Sequence, residues 1–298
     1  MGIYKFLALL TCIFIIILMT VIWYFPENDD FGAGNPFWNG IQEMMASGEL
    51  QPLSSLGGLP SDPHGATLII IPYIQMTDAE LDRLHRFASR GGRLIIADDY
   101  GYGNDILERI ELNVRFSGQV LLDPLIYYSN KYFPVIYHLE PDPLTAGTDS
   151  LVLNHATGLI NVGTPNILAM SSSFSFLDLN DNGTLDNDEI NGPLPVVSRH
   201  NINDGEVLLI SDPSLFINVM RPIEGNNRFI QNITGTGGTV YIDQSHLPAS
   251  DLSRSRNTLK QAREFLSNPA AAAVVAAAVV VISLAPVWPG KKKAGKQV

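Results

Sequence analysis

The hydrophobic positions of this chain form two long runs near its ends and several short runs between them. Residues 6–24 and 270–287 contain no charged side chain. A helix rises about 1.5 Å per residue, so roughly 20 residues cross a bilayer core. The pattern predicts an N-terminal transmembrane anchor at residues 1–25 and a C-terminal transmembrane helix at residues 269–288. For the second segment, an Ala-rich soluble helix is the alternative.

Short apolar runs predict the fold of the middle of the chain. Residues 67–71 and 93–97 have the continuous apolar pattern of strands buried on both faces. Between them, Thr77 and Glu80 have the spacing of a capping box, which predicts a helix start. A strand–helix–strand unit with short loops is typical of a parallel sheet.

The same pattern returns later in the chain. Strands are predicted at residues 206–211 and 239–242, with a helix near 226–232 between them. Residues 117–163 show no clear period. Together the elements predict an α/β domain at residues 26–268, with a doubly wound and mostly parallel sheet.

Charge separates the middle of the chain from its ends. Residues 27–268 hold all 30 Asp and Glu but only 14 of the 19 Lys and Arg. Positive charge beside a membrane segment favours the cytoplasmic side, and it lies at Lys5 and in the basic tail, residues 289–298. We expect both termini in the cytoplasm and the main domain on the extracytoplasmic side of the plasma membrane. A cleaved signal peptide is the alternative for the first segment, although Trp23 and Tyr24 replace the small residues of a cleavage site.

Composition also excludes some partners and chemistries. The acidic excess argues against a nucleic-acid partner, because phosphates would be repelled. The only cysteine is Cys12, inside the first apolar run, so the outer domain has no thiol chemistry.

The sharpest motif is the segment 178–189, DLNDNGTLDNDE, which matches the calcium-loop pattern at every fixed position. Calcium takes roughly six to eight hard oxygen ligands. The predicted ligands are side-chain oxygens and one backbone carbonyl, from Asp178, Asn180, Asn182, Thr184 (carbonyl), Asp186 and Glu189. Gly183 would allow the sharp turn, and Leu185 would anchor the loop to the core. A solvated acidic turn is the alternative.

The flanks of this loop decide its expected role. Residues 174–177 resemble a strand, and residues 190–193 contain Gly and Pro, which exclude a helix of any length. Without paired helices to open, the loop is predicted to be a structural calcium clamp rather than a switch.

A second candidate site follows from topology, because ligands of open parallel sheets bind beyond the carboxyl ends of the strands. The residues predicted at that edge are Asp98, Asp99, Asp212, Ser214, Asp243 and His246. Hydrolase chemistry there would need Ser214 held by His246 as a base. The alternative is that these Asp residues cap helices and turns. The other histidines are read as surface or loop residues: His64, His85, His138, His155 and His200.

Four stretches carry a resemblance to a known family: residues 67–99, 172–195, 209–218 and 241–246. In their order they resemble the uncharacterised archaeal and bacterial membrane proteins grouped as domain of unknown function 4350. The likeness covers most of residues 35–246. It implies a fold similar to class I glutamine amidotransferases and to auxiliary domains of ABC transport systems. It also implies an assembly role beside MoxR-type ATPases, but no established activity.

The sequence thus predicts a non-catalytic, membrane-anchored binding or scaffold domain, stabilised by calcium and acting with other subunits of a membrane complex. Glutamine hydrolysis by the amidotransferase route is excluded, since the nucleophile of that route is a cysteine, which the outer domain lacks. The alternatives are a cell-surface hydrolase at the strand-end edge and an accessory subunit of an ABC-type transport system.

Overall fold

The structure is a computed structural model that describes residues 3–48, 50–235 and 237–284. The helices are α1 (Ile3–Tyr24), α2 (Gln42–Ala46), α3 (Asp78–Ser89), α4 (Gly103–Arg109), α5 (Asn226–Thr234), α6 (Asp251–Ser267) and α7 (Pro269–Leu284). The strands are β1 (Gln51–Leu53), β2 (Thr67–Ile70), β3 (Arg93–Ala97), β4 (Arg115–Phe116), β5 (Val120–Leu122), β6 (Val135–Ile136), β7 (His138–Leu139), β8 (Leu151–Val152), β9 (Leu159–Ile160), β10 (Ile167–Met170), β11 (Phe176–Asp178), β12 (Pro195–Ile202), β13 (Gly205–Ile210) and β14 (Val240–Asp243).

The chain divides into two units, and residues 26–250 form the larger one. Its main sheet has eight strands in the order β1-β14-β2-β3-β13-β12-β10-β7. The first five strands of that order pair in parallel, and the last three pair antiparallel. The predicted α/β class with a large, mostly parallel sheet is therefore confirmed.

The strand–helix–strand unit forms as its sequence predicts. Thr77 Oγ1 accepts from the Glu80 amide at 3.4 Å, and Glu80 Oε2 accepts from the Thr77 amide at 2.9 Å, which completes the capping box. Helix α3 then buries Leu84 and Phe87. It ends before Gly91, whose φ of +96° is a left-handed conformation that suits glycine.

Helices cover both faces of the sheet. Because side chains alternate along each strand, Leu68 and Leu94 pack with α3 and α4, whereas Ile69 and Ile95 face the opposite core with α2 and α5. All four strand residues are fully buried. This three-layer arrangement fixes the carboxyl ends of β14, β2, β3 and β13 at one edge.

Two parts of this unit were not assigned from the sequence. Strands β12 and β13 form a hairpin across the two-residue turn Asn203–Asp204, with Ile202 opposite Gly205. The segment 117–163 consists of short strand pairs and turns, held by pairings such as β6 with β8. Short pieces of this kind give no periodic signal.

The smaller unit contains α1, α6 and α7. Helix α1 has 22 residues, and none of them is buried. Among the described residues, α1 alone is long and apolar enough to span a membrane by itself. Helices α6 and α7 pass that test only when joined, and they are bent by 97° between Ser267 and Pro269. The rest of the predicted second membrane segment and the basic tail lie outside the described residues.

Candidate functional site

The predicted calcium loop begins at the end of a small sheet. Strand β11 pairs antiparallel with β5 and ends at Asp178. Asp178 and Glu189, the first and last residues of the loop, are only 2% and 6% exposed. The residues between them are mostly exposed, so the loop is anchored at both ends by buried carboxylates.

Backbone amides point at the acidic side chains of this loop. The carboxylate of Asp178 accepts from the amides of Asn182 (3.2 Å) and Gly183 (2.8 Å). The carboxylate of Glu189 accepts from the amides of Leu179 (2.8 Å) and Asp186 (3.0 Å). Gly183 has a φ of +71°, the turn that the motif requires. Both carboxylates are thus fixed by the backbone of the loop.

Three of the predicted ligands converge inside the loop. The side-chain amides of Asn180 and Asn182 donate to one oxygen of Asp186, at 2.9 Å and 2.7 Å. Asn182 Oδ1 also accepts from the amide and the hydroxyl of Thr184, at 2.7 Å and 2.6 Å. Each predicted ligand carries an oxygen, the atom that calcium prefers, but Asn180 and Asn182 turn their amide nitrogens toward Asp186 in this structure.

In the part of the chain that the structure describes, no three His, Cys, Asp or Glu side chains stand close enough to hold a metal ion. The motif supplies three carboxylates, and its other ligands would be amide and backbone oxygens. The loop therefore fits calcium by ligand type, although its carboxylates are not drawn together. The calcium site stays a prediction.

Two residues change the picture of the loop. Lys131 Nζ donates to the Gly183 carbonyl at 2.5 Å, from 52 residues away in sequence. This cation offsets part of the acidic charge of the loop, and no local signal could have revealed it. The expected anchoring role of Leu185 is wrong, since its side chain is 52% exposed.

The carboxylates at the strand-end edge bond to nearby amides. Asp98 accepts from the amides of Gly101 and Gly103, both at 2.7 Å, and so holds the start of α4. Asp99 accepts from the Tyr73 hydroxyl (2.9 Å) and the Tyr100 amide (2.7 Å). Burial raises the pKa of Asp98 to about 7, and it also raises the pKa of Asp99.

Asp212 is the most enclosed of these groups. It is fully buried and accepts from the amides of Ser214 (2.7 Å) and Asn154 (2.6 Å). Burial raises the pKa of Asp212 to about 7, and the nearby charge of Asp99 adds to the shift. The same carboxylates, with burial, raise the pKa of Tyr73. Asp98, Asp99 and Asp212 therefore form one buried acidic group.

His246 belongs to a separate group at the same edge. Its Nδ1 lies 2.7 Å from Asp243, and its Nε2 lies 3.6 Å from Glu80. Burial alone would lower the pKa of His246, but Asp243 and Glu80 outweigh it and raise that pKa. Within the described residues, no hydrogen bond joins Ser214 to His246. The serine–histidine pair that hydrolase chemistry would need is not assembled.

The position of His200 corrects the expectation that this histidine lies on the surface. His200 lies on β12, is only 7% exposed and bonds to Ser198 at 3.0 Å, so it is a core residue rather than a surface one. Burial lowers its pKa.

The calcium loop and the strand-end edge are neighbours. Tyr100 donates its hydroxyl to the His155 carbonyl at 2.6 Å, and the His155 ring stacks on Tyr132 at 4.8 Å between centroids. Tyr132 follows Lys131, which reaches the loop. The charge of Asp181, within the loop, contributes to the raised pKa of Tyr100, after burial and the edge carboxylates. No local sequence pattern indicates this connection.

A feature that sequence reasoning missed is an open apolar cavity of about 400 Å³. Its lining includes Tyr137, His138, Met170, Phe174 and Pro193. Tyr137 and Phe174 are 68% and 52% exposed. Large exposed aromatics beside a cavity are typical of a binding surface.

The chain belongs to the DUF4350 family, described as "Domain of unknown function", whose sequence profile matches residues 45–234. No curated protein matches the chain. The expected family is therefore confirmed, and it brings no established activity.

Three solved structures show the level of structural likeness. The mmIFT52 N-terminal domain is 15% identical with a TM-score of 0.46, over 65% of this chain and 88% of that one. Cytoplasmic protein STM1381 from Salmonella typhimurium LT2 is 15% identical with a TM-score of 0.36, over 62% and 77%. A β-galactosidase from Bacillus circulans sp. alkalophilus is 12% identical with a TM-score of 0.36, and the matched 59% of this chain spans 23% of that enzyme. None of them carries an inference about activity.

Proposed function

We propose that this protein is a membrane-anchored, extracytoplasmic binding or scaffold domain without catalytic activity, stabilised by calcium and acting within a membrane complex. The observation that carries the proposal is the exposure of α1: none of its 22 residues is buried in the protein. An apolar surface of this length is stable in a bilayer core and unfavourable in water. Anchoring through α1 follows from it, and a second span that includes α7 is a further part of the proposal.

Membrane integration and orientation are tested together. The full chain should stay in the membrane pellet after alkaline carbonate extraction. With Cys12→Ser as background, an impermeant maleimide should label Asp188→Cys on intact cells but Lys296→Cys only after permeabilisation. Asp188 is exposed on the larger unit, so its thiol is reachable. Release by carbonate would reject the anchor, and the opposite labelling pattern would reject the orientation.

The binding role is supported by the apolar cavity beside Tyr137 and Phe174. Exposed aromatics of this kind are the common anchors of protein interfaces. A photo-crosslinking amino acid at position 137 should give a discrete adduct with another membrane protein in native cells. The same amino acid at Leu185, which is also exposed but does not line the cavity, is the control. Equal adducts at both positions would reject a specific surface.

The calcium role is supported by the motif, and by the side chains of Asn180 and Asn182, which lie beside Asp186 and each carry an oxygen that could bind the ion. Calorimetric titration of residues 26–250 should give binding near one equivalent. At about 100 times the Kd, bound calcium should stabilise the domain by about 2.7 kcal/mol. The double variant Asp178→Ala, Glu189→Ala should lose both binding and the rise in Tm. If this variant keeps the full calcium-dependent rise in Tm, the loop is not the site.

A further inference from the structure

Helix α6 is basic and directly follows a strongly acidic domain. Residues 26–250 hold 28 Asp and Glu against 10 Lys and Arg. Helix α6 reverses this balance, with four cations against two carboxylates: Arg254, Arg256, Lys260 and Arg263 against Asp251 and Glu264. Such a reversal over one helix suggests an anionic partner for that helix.

The cations of α6 are not spread evenly around it. Arg256, Lys260 and Arg263 are spaced at i, i+4 and i+7, which places them on one face of the helix. Arg254 lies on another side and forms an exposed ion pair with Asp251 at 2.5 Å. Three cations therefore form a stripe, and the fourth offers a matched control.

This stripe meets the last turn of α1. Arg256 Nε donates to the Ile22 carbonyl at 3.1 Å, and its guanidinium also donates to the Phe25 carbonyl. Arginines commonly satisfy the free carbonyls at a helix C-terminus. Because this turn is where the proposed span leaves the bilayer, α6 lies at the level of the lipid headgroups.

A cleft of about 430 Å³ opens at this junction, lined by Trp23, Lys260, Arg263, Glu264 and Ser267. The guanidinium of Arg263 stands 5.7 Å from the centroid of the Trp23 ring. Tryptophan is typical of the interface between membrane and water, and the ring orients the cation above it. The lining combines two cations, one carboxylate and a hydroxyl beside an indole, and its net positive charge suits a phosphate that is attached to an apolar tail.

The bend after α6 fits the same placement. Helix α7 leaves α6 at 97°, so an α7 that runs along the membrane normal holds α6 in the membrane plane. Phe265 and Leu266, near that bend, are 60% and 47% exposed, as in helices that lie in the interface.

We propose that the cleft between the end of α1 and α6 binds the phosphate headgroup of an anionic membrane phospholipid. Lys260 and Arg263 contact the phosphate, Trp23 forms the floor, and Arg256 fixes α6 against α1. This proposal rests on the proposed membrane anchoring.

The test uses the full chain in vesicles, with Trp38→Phe and Trp288→Phe so that Trp23 is the only tryptophan. Lipids with brominated acyl chains quench a nearby indole. Brominated phosphatidylglycerol in phosphatidylcholine is compared with brominated phosphatidylcholine in phosphatidylglycerol at the same mole fraction. We expect phosphatidylglycerol to be enriched beside Trp23, by about fivefold for each cation that contacts it, and less at high salt.

Variants separate charge from folding. Lys260→Gln with Arg263→Gln should abolish the enrichment, whereas Lys260→Arg with Arg263→Lys, which keeps the charge, should retain most of it. Arg254→Gln removes a charge from another face and should change little. Equal quenching by both lipids in an inserted protein would overturn the lipid site alone. No quenching by either lipid, with release by carbonate, would overturn the anchoring and the lipid site with it.

Discussion

The calcium loop and the strand-end edge are both clusters of carboxylates, yet they differ in what surrounds the charge. In the loop, Asp181 and Asp188 are exposed, and the ammonium group of Lys131 donates a hydrogen bond to the Gly183 carbonyl. At the edge, Asp98 and Asp212 are almost fully buried. Burial raises the pKa of both edge groups to about 7.

This difference teaches that residue type alone does not define an acidic site. The exposed carboxylates of the loop face water, and Lys131 places a positive charge against the loop backbone. At the edge, Asp98 and Asp212 accept hydrogen bonds from the backbone amides of turns and helix starts. The edge carboxylates therefore support the fold, as do Asp178 and Glu189 at the two ends of the loop, whereas the loop carboxylates between those ends are more open to solvent.

The sharpest way to break this comparison is to remove a buried edge carboxylate. Asp212→Ala should lower the free energy of unfolding by roughly 3 kcal/mol, because the amides of Asn154 and Ser214 lose their buried acceptor. Urea denaturation of residues 26–250 measures it. The control Asp188→Ala, at an exposed loop position, should stay within about 0.5 kcal/mol of the parent. Equal effects at the two positions would remove the distinction between edge and loop.

Dependence on pH sharpens the same point. A carboxyl group with a folded-state pKa near 7 keeps its proton in the folded state when the unfolded chain, with a pKa of about 3.9, has lost it. The folded state then binds more protons, so stability falls as the pH rises from about 4 to about 7. The slope is up to about 1.4 kcal/mol per pH unit for each group.

Titration of His246 also makes the free energy of unfolding fall as the pH rises, in a higher pH range. Its raised pKa stabilises the fold fully below about 6.5, and this contribution is lost as the pH rises through the folded-state value. Urea denaturation with a calcium chelator, from pH 4 to pH 8, should therefore show stability falling across the range. Asp98→Asn and Asp212→Asn should each reduce the fall in stability at the lower pH values. His246→Gln should reduce the fall at the higher pH values. A parent domain that gains stability over pH 4–7 would contradict the raised values.

Replacing Lys131 tests whether its ammonium group substitutes for calcium in the loop. Without calcium, Lys131→Met should cost about 1 kcal/mol, because the Gly183 carbonyl loses a charged donor and the loop acids lose their counter-charge. With calcium, the same variant should bind several-fold more tightly, since a neighbouring positive charge is gone. Calorimetry and melting curves with and without calcium measure both changes. A variant with weaker calcium binding would show that Lys131 shapes the loop instead of competing with the ion.

Some of this arrangement could be read from the sequence, and the reason is local. Residues 67–71 and 93–97 are long apolar runs with a capping box between them, so β2, α3 and β3 form where the pattern predicts. The edge followed from topology, because parallel strands end on one side. The hairpin of β12 and β13 was missed, although Asn203–Asp204–Gly205 is a turn signal between two strands.

The remaining features depend on contacts between distant residues. Lys131 meets Gly183 from 52 residues away, and β6 and β8 are two-residue strands with no period of their own. The cavity beside Tyr137 and Phe174 joins segments that are far apart in the chain. Burial, which decides the charge of Asp98 and Asp212, is likewise set by the whole fold.

The smallest expected effect concerns Leu185, which the loop motif places as an anchor to the core. Because its side chain is 52% exposed, Leu185→Ser should change the free energy of unfolding by less than about 0.5 kcal/mol without calcium. Leu177→Ser, on the fully buried strand β11 just before the loop, is the contrasting variant and should cost several times more. The comparison is repeated with calcium by urea denaturation. A cost at Leu185 that appears only with calcium would mean that the ion draws this side chain inward, which would make the loop a moving part of the domain rather than a static clamp.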